Sequence, residues 1–337
     1  MDSSFVRFLK SLLKILIFFS IGGFLLYLAL KNIDVEKLWY DLLSARYEYI
    51  LISMLLGYAA FISRGIRWNY LLEPMGYSVP VWKSIHSISL GYLANAAMPR
   101  AGEIIRCTAL HQASKVPVNR LVGTVVAERV VDMLMLILSL VISLAFNLPK
   151  LIAFYNKTFA SAERSGQGPT YTKWIVLLFV LVSAIFLYLI RDRIKALPFV
   201  SKIRELWTGF KEGILSVMHT PKRIPFILHT IFIWLCYYLM VHVVIYALPA
   251  TSTLTFADTL FIMIVAGLGM LVPAPAGIGS YHYAVVTGMG VLGIASDTGM
   301  AYATLVHSGQ FIMTLIAGFV ALLGLYIWKS KRVEPVV

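Results

Sequence analysis

Three charged residues, Arg100, Glu103 and Arg106, lie three apart directly after an apolar run. On a helix such residues share one face, so Glu103 can pair with either arginine. A guanidinium offers paired donors that suit a phosphate, and ionisable groups inside a membrane usually mark a ligand site or a pathway. The spacing therefore predicts a candidate phosphate site. The alternative is simple ion pairing at the membrane surface, because long arginines reach water easily.

A second charged group is the segment AERVVD, where Glu128, Arg129 and Asp132 lie about two turns into an apolar run. Glu128 and Asp132 are four apart and share a face, and Arg129 can neutralise Asp132 from three positions away. Charges at this depth are costly unless they face each other or the interior of a helix bundle. Two interpretations stay open: a structural ion-pair lock, or a relay in which the carboxylates handle a proton or a head group.

Polar residues at two further places extend the candidate site. The segment SRGIRW carries Arg64 and Arg67 at the end of an apolar run. Anchoring at the membrane surface, with Trp68 at the interface, is one interpretation of this segment, and contact with a lipid head group is the other. Asn95 lies inside an apolar half-helix and needs a hydrogen-bond partner, which we expect across the break that follows it.

A break rich in proline and glycine, PAPAGIG, separates two short apolar runs. It contains Pro273, Pro275, Gly277 and Gly279, whose glycines allow the backbone to approach a ligand or another helix. His282 follows three residues after the break, either as a hydrogen-bonded structural residue or as a titrating relay. The histidines show no metal-binding spacing, so we expect neither a metal ion nor a cofactor.

The amino-acid composition indicates that most of the chain is surrounded by lipid rather than water. The chain of 337 residues is 59% hydrophobic and 13% charged, with a mean hydropathy of +0.81, whereas soluble domains carry about 25% charged residues. The net charge is +13, and the basic residues lie beside apolar runs. This pattern indicates orientation in a membrane and contact with anionic lipid rather than binding of nucleic acid. We therefore predict an all-α polytopic membrane protein that does not bind nucleic acid.

Apolar runs of two lengths divide the chain. Those long enough to span a membrane are 11–30, 49–72, 121–147, 174–190, 224–248 and 301–328. Two pairs of shorter runs, 84–98 with 103–113 and 259–272 with 280–294, are predicted to form re-entrant helical hairpins. The prediction is six full spans and two hairpins, about eight membrane segments, in a single integral membrane domain, 1–337.

The order of these segments predicts an inverted repeat. Span, span, hairpin, span occurs in 1–147 and again, inverted, in 174–328. Broken helices that meet near the midplane of the membrane, within inverted repeats, are typical of transporters. The two breaks are therefore expected to lie near a binding site.

The basic residues predict the orientation. Most of the 29 Lys and Arg residues fall on the side of the N-terminus if neither hairpin crosses the membrane, which fits the positive-inside rule. We expect a multi-pass protein of the cell membrane (the inner or cytoplasmic membrane) with both termini in the cytoplasm. The segment 191–223 repeats apolar residues at helical spacing and predicts an amphipathic helix on the cytoplasmic surface.

Several of these motifs together resemble the flippase-like transmembrane family, also called the lysylphosphatidylglycerol synthase transmembrane-region family. The motifs are N-x3-P-x-x-GE-x-x-R from Asn95 to Arg106, ER-x-x-D from Glu128 to Asp132, RW at Arg67, and P-x-P-x-GIG from Pro273 to Gly279. The resemblance covers essentially the whole chain. It implies a lipid-translocating membrane domain, here without the soluble aminoacyl-transferase domain that some members add. Many members carry a glutamate at the position of His282, so no charge is carried over to that residue.

From the charged residues and the resemblance we expect a flippase-like transporter of a polar or charged phospholipid, anionic or aminoacylated. Its arginines would attract the lipid phosphate, and its carboxylates would balance the site or bind a cationic head group. One alternative is a membrane-embedded transferase, for which Glu128 and Asp132 are the clustered candidates for acid or base. Another is an accessory subunit that transports nothing. The expected partners are membrane lipids and, in a homo-oligomer, further copies of the chain.

Overall fold

The structure, a computed structural model, describes residues 3–31, 33–98, 101–156 and 221–330. In these residues the chain is helical and contains no strand. Several predictions fall outside the described residues: the span 174–190, nearly all of the amphipathic segment 191–223, and Arg100 with the neighbouring Pro99.

Long and short helices are both present. The long helices are α1 (Ser3–Leu30), α3 (Tyr47–Leu72), α6 (Val118–Tyr155), α7 (Arg223–Val244) and α10 (Ser296–Ser330). The shorter helices are α2 (Val35–Leu43), α4 (Val81–Ala97), α5 (Gly102–Ser114), α8 (Phe256–Leu271) and α9 (Ser280–Val291). Short 3-10 turns, Glu73–Met75, Ile245–Ala247, Pro249–Thr251 and Pro275–Gly277, lie between them.

The long helices make the chain a polytopic membrane protein. Within the described residues, four segments are long and apolar enough to cross a membrane: Tyr47–Met75, Val118–Phe154, Arg223–Ala247 and Ser296–Leu325. Helix α1 and helix α2 are bent by 94° relative to each other and together supply a possible fifth crossing. These segments correspond to the predicted spans 49–72, 121–147, 224–248, 301–328 and 11–30.

The exposed apolar residues on the outer face of α6 indicate that this face contacts lipid. Met133, Ile137, Val141, Leu144 and Leu148 recur every three or four residues and are between 40% and 59% exposed. Residues at this spacing form one stripe along a helix. Such a stripe would be costly in water, whereas hydrocarbon chains cover it without any protein partner.

Helices α4 and α5 form the first hairpin. The Lys83 ammonium group donates to the carbonyl oxygen of Ala113, at 2.8 Å, at one end of the pair. At the other end the backbones of Gly91 and Gly102 approach so closely that a Cβ atom on Gly102 would overlap the Gly91 carbonyl oxygen. Contacts in this order mean that the two helices run antiparallel, as the prediction of a hairpin over 84–113 requires.

Helices α8 and α9 form the second hairpin. A Cβ atom on Gly269 would lie 2.8 Å from the Ser280 carbonyl oxygen, and one on Gly288 would lie 3.1 Å from the Val265 side chain, so these helices also run antiparallel. Helix α8 begins with a capping box in which Thr255 and Asp258 satisfy each other's backbone N–H groups.

The break between α8 and α9 needs glycine for two reasons. Gly277 and Gly279 have φ angles of 75° and 87°, in the left-handed region that favours glycine. A Cβ atom on Gly279 would also overlap the carbonyl oxygen of Gly22 on α1. The motif PAPAGIG therefore both turns the chain and lets α1 pack directly against the turn.

The buried apolar residues form two main clusters. The larger one joins α3, α7, α8, α9 and α10. The second surrounds Trp68 and Leu72 of α3 and includes buried residues of α4, α5 and α6. Helix α3 belongs to both clusters, and it carries two of the predicted site residues, Arg64 and Arg67, between them.

Candidate functional site

Seven charged residues on three helices form one continuous cluster. Its members are Arg64 and Arg67 on α3, Glu103 and Arg106 on α5, and Glu128, Arg129 and Asp132 on α6. All seven are predicted site residues. The structure therefore brings together three sequence motifs, at residues 64–67, 103–106 and 128–132, that are far apart along the chain.

Asp132 lies at the centre of the cluster. One carboxylate oxygen accepts a hydrogen bond from Nη2 of Arg64 at 2.9 Å, and the other accepts one from Nη1 of Arg67 at 3.0 Å. Nη1 of Arg129 lies 3.7 Å from the same carboxylate, as the spacing of three residues predicts. Three guanidinium groups thus share one acid that is only 9% exposed.

Two further carboxylates extend the chain of ion pairs. Glu128 is 0% exposed and lies between Nη2 of Arg106, at 2.9 Å, and Nε of Arg67, at 3.7 Å. Glu103 lies 2.7 Å from Nε of Arg106 and 3.3 Å from Nε of Arg129. Each acid therefore faces at least two arginines. Such pairing offsets the cost of holding a charge inside a membrane.

Helix α7 completes the surroundings of the two α3 arginines. Arg64 donates from Nε to the Tyr237 hydroxyl at 2.7 Å, and Arg67 donates from Nη1 to the Thr230 hydroxyl at 3.1 Å. Nη1 of Arg64 and Nη2 of Arg67 are buried without a hydrogen-bond partner in the described part of the chain. The pairing in this region is therefore extensive but incomplete.

Trp68 supports the cluster from the protein interior. Its indole N–H donates to the Thr124 hydroxyl at 2.8 Å, and the Arg106 guanidinium lies 4.9 Å from the centre of its ring. Trp68 and Arg67 are both 0% exposed, and Arg64 is 3% exposed. An anchor must reach the membrane surface, so the interpretation of SRGIRW as a surface anchor is wrong: these side chains point into the bundle.

Two members of the cluster differ from the rest in exposure. The side chains of Glu103 and Arg129 are 38% and 44% exposed, whereas the side chains of the other five are at most 11% exposed. Both residues line a cavity of about 640 Å³. The cluster therefore has a buried layer and a layer that a ligand in the cavity can reach.

The cavity also connects the two hairpins. Its lining includes Asn95 at the end of α4, Pro273 and Gly277 in the break of the second hairpin, and residues of α3, α6, α7, α8, α9 and α10. Apart from Glu103 and Arg129 its wall is largely apolar, with Met263, Met270 and Met313 among the lining residues.

The break in the first hairpin is held by Asn95. Its side-chain oxygen accepts a hydrogen bond from the Gly102 backbone N–H at 2.7 Å. That N–H belongs to the first turn of α5, where no intrahelical acceptor is available. Asn95 therefore makes the contact across the break that its position in the sequence predicts.

The remaining predicted residues lie around the second break. Pro275 and Gly279 lie against α1 at Gly22, and His282 is 8% exposed and does not line the cavity. Arg100 lies outside the described residues. The described chain contains no group of His, Cys, Asp and Glu residues arranged to hold a metal ion, and its two cysteines, Cys107 and Cys236, are free and buried.

Sequence reasoning missed several polar residues of the cavity wall. They are Tyr92, Trp234, Tyr237, Tyr281, His307 and Gln310. Trp234 with Tyr237, and His307 with Gln310, are three residues apart on one helix, but none of these residues is part of a charged group or a recognisable motif. Their common position follows from helix packing, so no local pattern could have revealed it.

The fold and the cluster define a class: a polytopic helical membrane protein with a cavity that borders a network of buried ion pairs. Residues 11–318 match the family described as the lysylphosphatidylglycerol synthase TM region, and the chain belongs to that family. The resemblance that the motifs indicate is thus confirmed.

One relative is the UPF0104 membrane protein MJ1595 of Methanocaldococcus jannaschii. It is 22% identical to this chain, and the similarity covers 89% of this chain and 92% of the relative. No solved structure matches the chain.

Proposed function

We propose that this protein moves a phospholipid with a polar or charged head group between the two leaflets of the cell membrane. The observation that carries the proposal is the Glu103–Arg129 ion pair, the charged pair in the wall of a largely apolar cavity. Hydrocarbon excludes a charged head group, so a carrier must supply opposite charges inside the membrane. This cavity offers both signs of charge next to each other.

Arg129 is the residue that we assign to the phosphate. Its contacts with Glu103 and Asp132 are 3.3 Å and 3.7 Å long, compared with 2.9 Å and 3.0 Å for the arginines that hold Asp132 from α3. Its guanidinium is also open to the cavity. A phosphate can therefore replace loose contacts at Arg129 without breaking the buried layer.

Glu103 has a matching role for a positive charge. One of its oxygens faces Arg106 and the other faces Arg129, so a lipid phosphate on Arg129 would free the second oxygen. An amine on the same head group could then bind there. The flexible methionines that line the cavity can adapt to the rest of the head group and to the first carbons of the acyl chains.

The contacts support transport over the alternative of a lipid-modifying transferase. A transferase needs an acid or base that is free to exchange a proton. Glu128 is fully buried between two arginines, and both oxygens of Asp132 accept hydrogen bonds from arginines. These pairings occupy both carboxylates and hold them away from a substrate.

Two finer expectations belong to the proposal: cytoplasmic termini, and two inverted repeats that place the hairpin breaks on one cavity. The distribution of basic residues supports the orientation, and the shared lining by Asn95, Pro273 and Gly277 supports the repeat. Protease treatment of intact cells should leave a C-terminal tag uncut, and cleavage of the tag would contradict the orientation.

The test is a leaflet-exchange assay with the purified protein in liposomes. Head-group-labelled anionic, zwitterionic and cationic phospholipids would be followed from one leaflet to the other. We expect Arg129→Gln and Glu103→Gln to reduce the exchange rate at least tenfold, about the effect of losing one charge-assisted hydrogen bond. Thermal unfolding of both variants should stay close to that of the parent protein, because both side chains are partly exposed.

The control is a matched ion pair outside the cluster. Arg46 and Glu48 pair at 2.8 Å with side chains 60% and 55% exposed, so Arg46→Gln and Glu48→Gln remove the same groups without touching the cavity. Both controls should exchange lipid at the parent rate. The proposal fails if no labelled lipid changes leaflet, or if the cavity variants exchange lipid as fast as the controls.

A further inference from the structure

A second group of polar side chains lies along the same cavity and is separate from the charged cluster. Tyr281 at the start of α9 and His307 on α10 both line the cavity. Their ring centres are 4.9 Å apart, and the ring of His282 lies 5.0 Å from that of His307. Three polar rings from two neighbouring helices thus form one compact group.

Each of these rings has unused hydrogen-bonding capacity. The Tyr281 hydroxyl, Nδ1 of His282 and Nε2 of His307 are buried and have no hydrogen-bond partner in the part of the chain that the structure describes. The residues are 4%, 8% and 8% exposed. Buried polar groups are nearly always hydrogen-bonded, so three unsatisfied groups in one place indicate a ligand that supplies the partners.

The chemistry of the group specifies the ligand. None of the three residues forms an ion pair within the described residues. A tyrosine hydroxyl and a neutral imidazole can each donate and accept hydrogen bonds. A ligand hydroxyl also does both, so it satisfies them in either direction, whereas a phosphate or an ammonium group does only one. The amide of Gln310, which also lines the cavity, adds a donor and an acceptor of the same kind.

We infer that Tyr281, His307 and Gln310, supported by His282, form a subsite for the uncharged, hydroxyl-bearing part of a lipid head group. Arg129 holds the phosphate of the same lipid elsewhere in the cavity. The inference rests on the proposed function and narrows its substrate class to phospholipids whose head group is a polyol or a sugar. Lipids whose phosphate carries no hydroxyl-bearing group would bind through Arg129 alone.

The test measures binding and transport separately, using two phospholipids with the same acyl chains and the same charge. One carries inositol on its phosphate, and the other carries an ethyl group, which has no hydroxyl. Native mass spectrometry of the full chain with an equimolar mixture gives the ratio of the two bound lipids. We expect the parent protein to bind mostly the inositol lipid. In Tyr281→Phe the ratio of bound inositol lipid to bound ethyl lipid should fall about fivefold, which corresponds to the loss of one neutral hydrogen bond.

Tyr283→Phe is the matched control. Tyr283 lies on the same helix, is 38% exposed and does not line the cavity. The control should keep the parent preference. Deacylated glycerophosphoinositol added to the mixture should not displace the bound lipid, because it lacks the acyl chains. Displacement at equal concentration would overturn the assignment to a lipid and indicate a soluble polyol phosphate.

The outcomes separate this inference from the proposed function. Equal binding of both lipids by the parent protein would overturn the subsite, whatever the liposomes show, and would leave ordered water as the partner of the three rings. A preference without leaflet exchange would keep the subsite and overturn transport. Leaflet exchange of both lipids at one rate, with Tyr281→Phe unchanged, would keep transport and overturn the subsite.

Discussion

The two helical hairpins have the same backbone arrangement but carry different polar side chains. Each consists of two short antiparallel helices that meet at glycine residues, and both breaks border one cavity. The first hairpin carries Glu103 and Arg106 just after its break, and both are paired with charges on α6. The second carries Tyr281 and His282 just after its break, and both are uncharged and incompletely hydrogen-bonded.

This difference suggests separate roles: the paired charges of the first hairpin stabilise the fold, and the open polar groups of the second select the ligand. A charge inside a membrane requires partners, so the polar residues of the first hairpin are tied to the packing of α3, α5 and α6. A neutral ring can stay buried at a smaller cost, so the second hairpin can keep donors and acceptors open for a ligand. We therefore expect loss of the buried charge of Arg106 in the first hairpin to affect folding most, and changes in the second hairpin to affect ligand choice.

The largest effect should come from Arg106→Met. Arg106 contributes the short contact to the fully buried Glu128, whose other arginine, Arg67, is 3.7 Å away. Its removal leaves a buried carboxylate with one distant partner, which should lower the free energy of unfolding by about 3–5 kcal/mol. Denaturant titration in detergent micelles measures the change.

Two comparisons sharpen the Arg106 prediction. Arg120 is exposed near the start of α6, so Arg120→Met should leave the free energy of unfolding almost unchanged. Adding Glu128→Gln to Arg106→Met should restore part of the loss, because the buried group is then neutral. Equal stability of Arg106→Met and the parent protein would show that the pair does not hold the hairpin.

An intermediate effect is expected for Gly102→Ala. The new methyl group would overlap the carbonyl oxygen of Gly91 and the Asn95 side chain, so the two helices of the first hairpin must move apart. We expect a loss of about 1–3 kcal/mol in the free energy of unfolding. Gly123→Ala on α6 is the matched control, because a Cβ there has no atom within 4 Å. A smaller loss for Gly102→Ala than for Gly123→Ala would contradict the close backbone contact.

The smallest effect on stability should come from Tyr281→Phe in the second hairpin. Its hydroxyl has no hydrogen-bond partner among the described residues, so its removal should change the free energy of unfolding by less than about 0.5 kcal/mol. Tyr302→Phe is the contrasting variant. The Tyr302 hydroxyl donates to the Val241 carbonyl oxygen at 2.5 Å, and its loss should cost about 1 kcal/mol. Equal losses for the two variants in a thermal melt would mean that the Tyr281 hydroxyl has a partner in the folded chain.

The elements that could be predicted from sequence are those that depend on local patterns. The spans 49–72, 121–147 and 224–248 agree with helices α3, α6 and α7 within a few residues, except that α6 continues to Tyr155. The extension was missed because Asn147, Pro149 and Lys150, at and just after the end of the predicted span, reduce the hydropathy. Asn147 and Lys150 find partners on the segment that begins α8, at Ala257 and Asp258, so their polarity is satisfied by tertiary contacts.

The candidate site could be predicted only in part. The spacing of Glu103 with Arg106 and of Arg129 with Asp132 predicts pairs that the structure contains, because residues three apart meet on any helix. The pattern around Arg64 and Arg67 favoured a surface anchor, because the end of an apolar run is where anchors usually lie. Their burial follows from the packing of α3 against α6 and α7, which no local pattern shows.

The sequence by itself determined that this is a helical membrane protein of its family, where its helices break, and which charges lie one turn apart. These properties depend on hydropathy and on residues within a few positions of each other. Only the tertiary structure decided that Asp132 accepts hydrogen bonds from Arg64 and Arg67, 68 and 65 residues away, and that Tyr281 and His307 share a cavity with Arg129. Those contacts depend on how whole helices pack, and packing is set by many side chains at once.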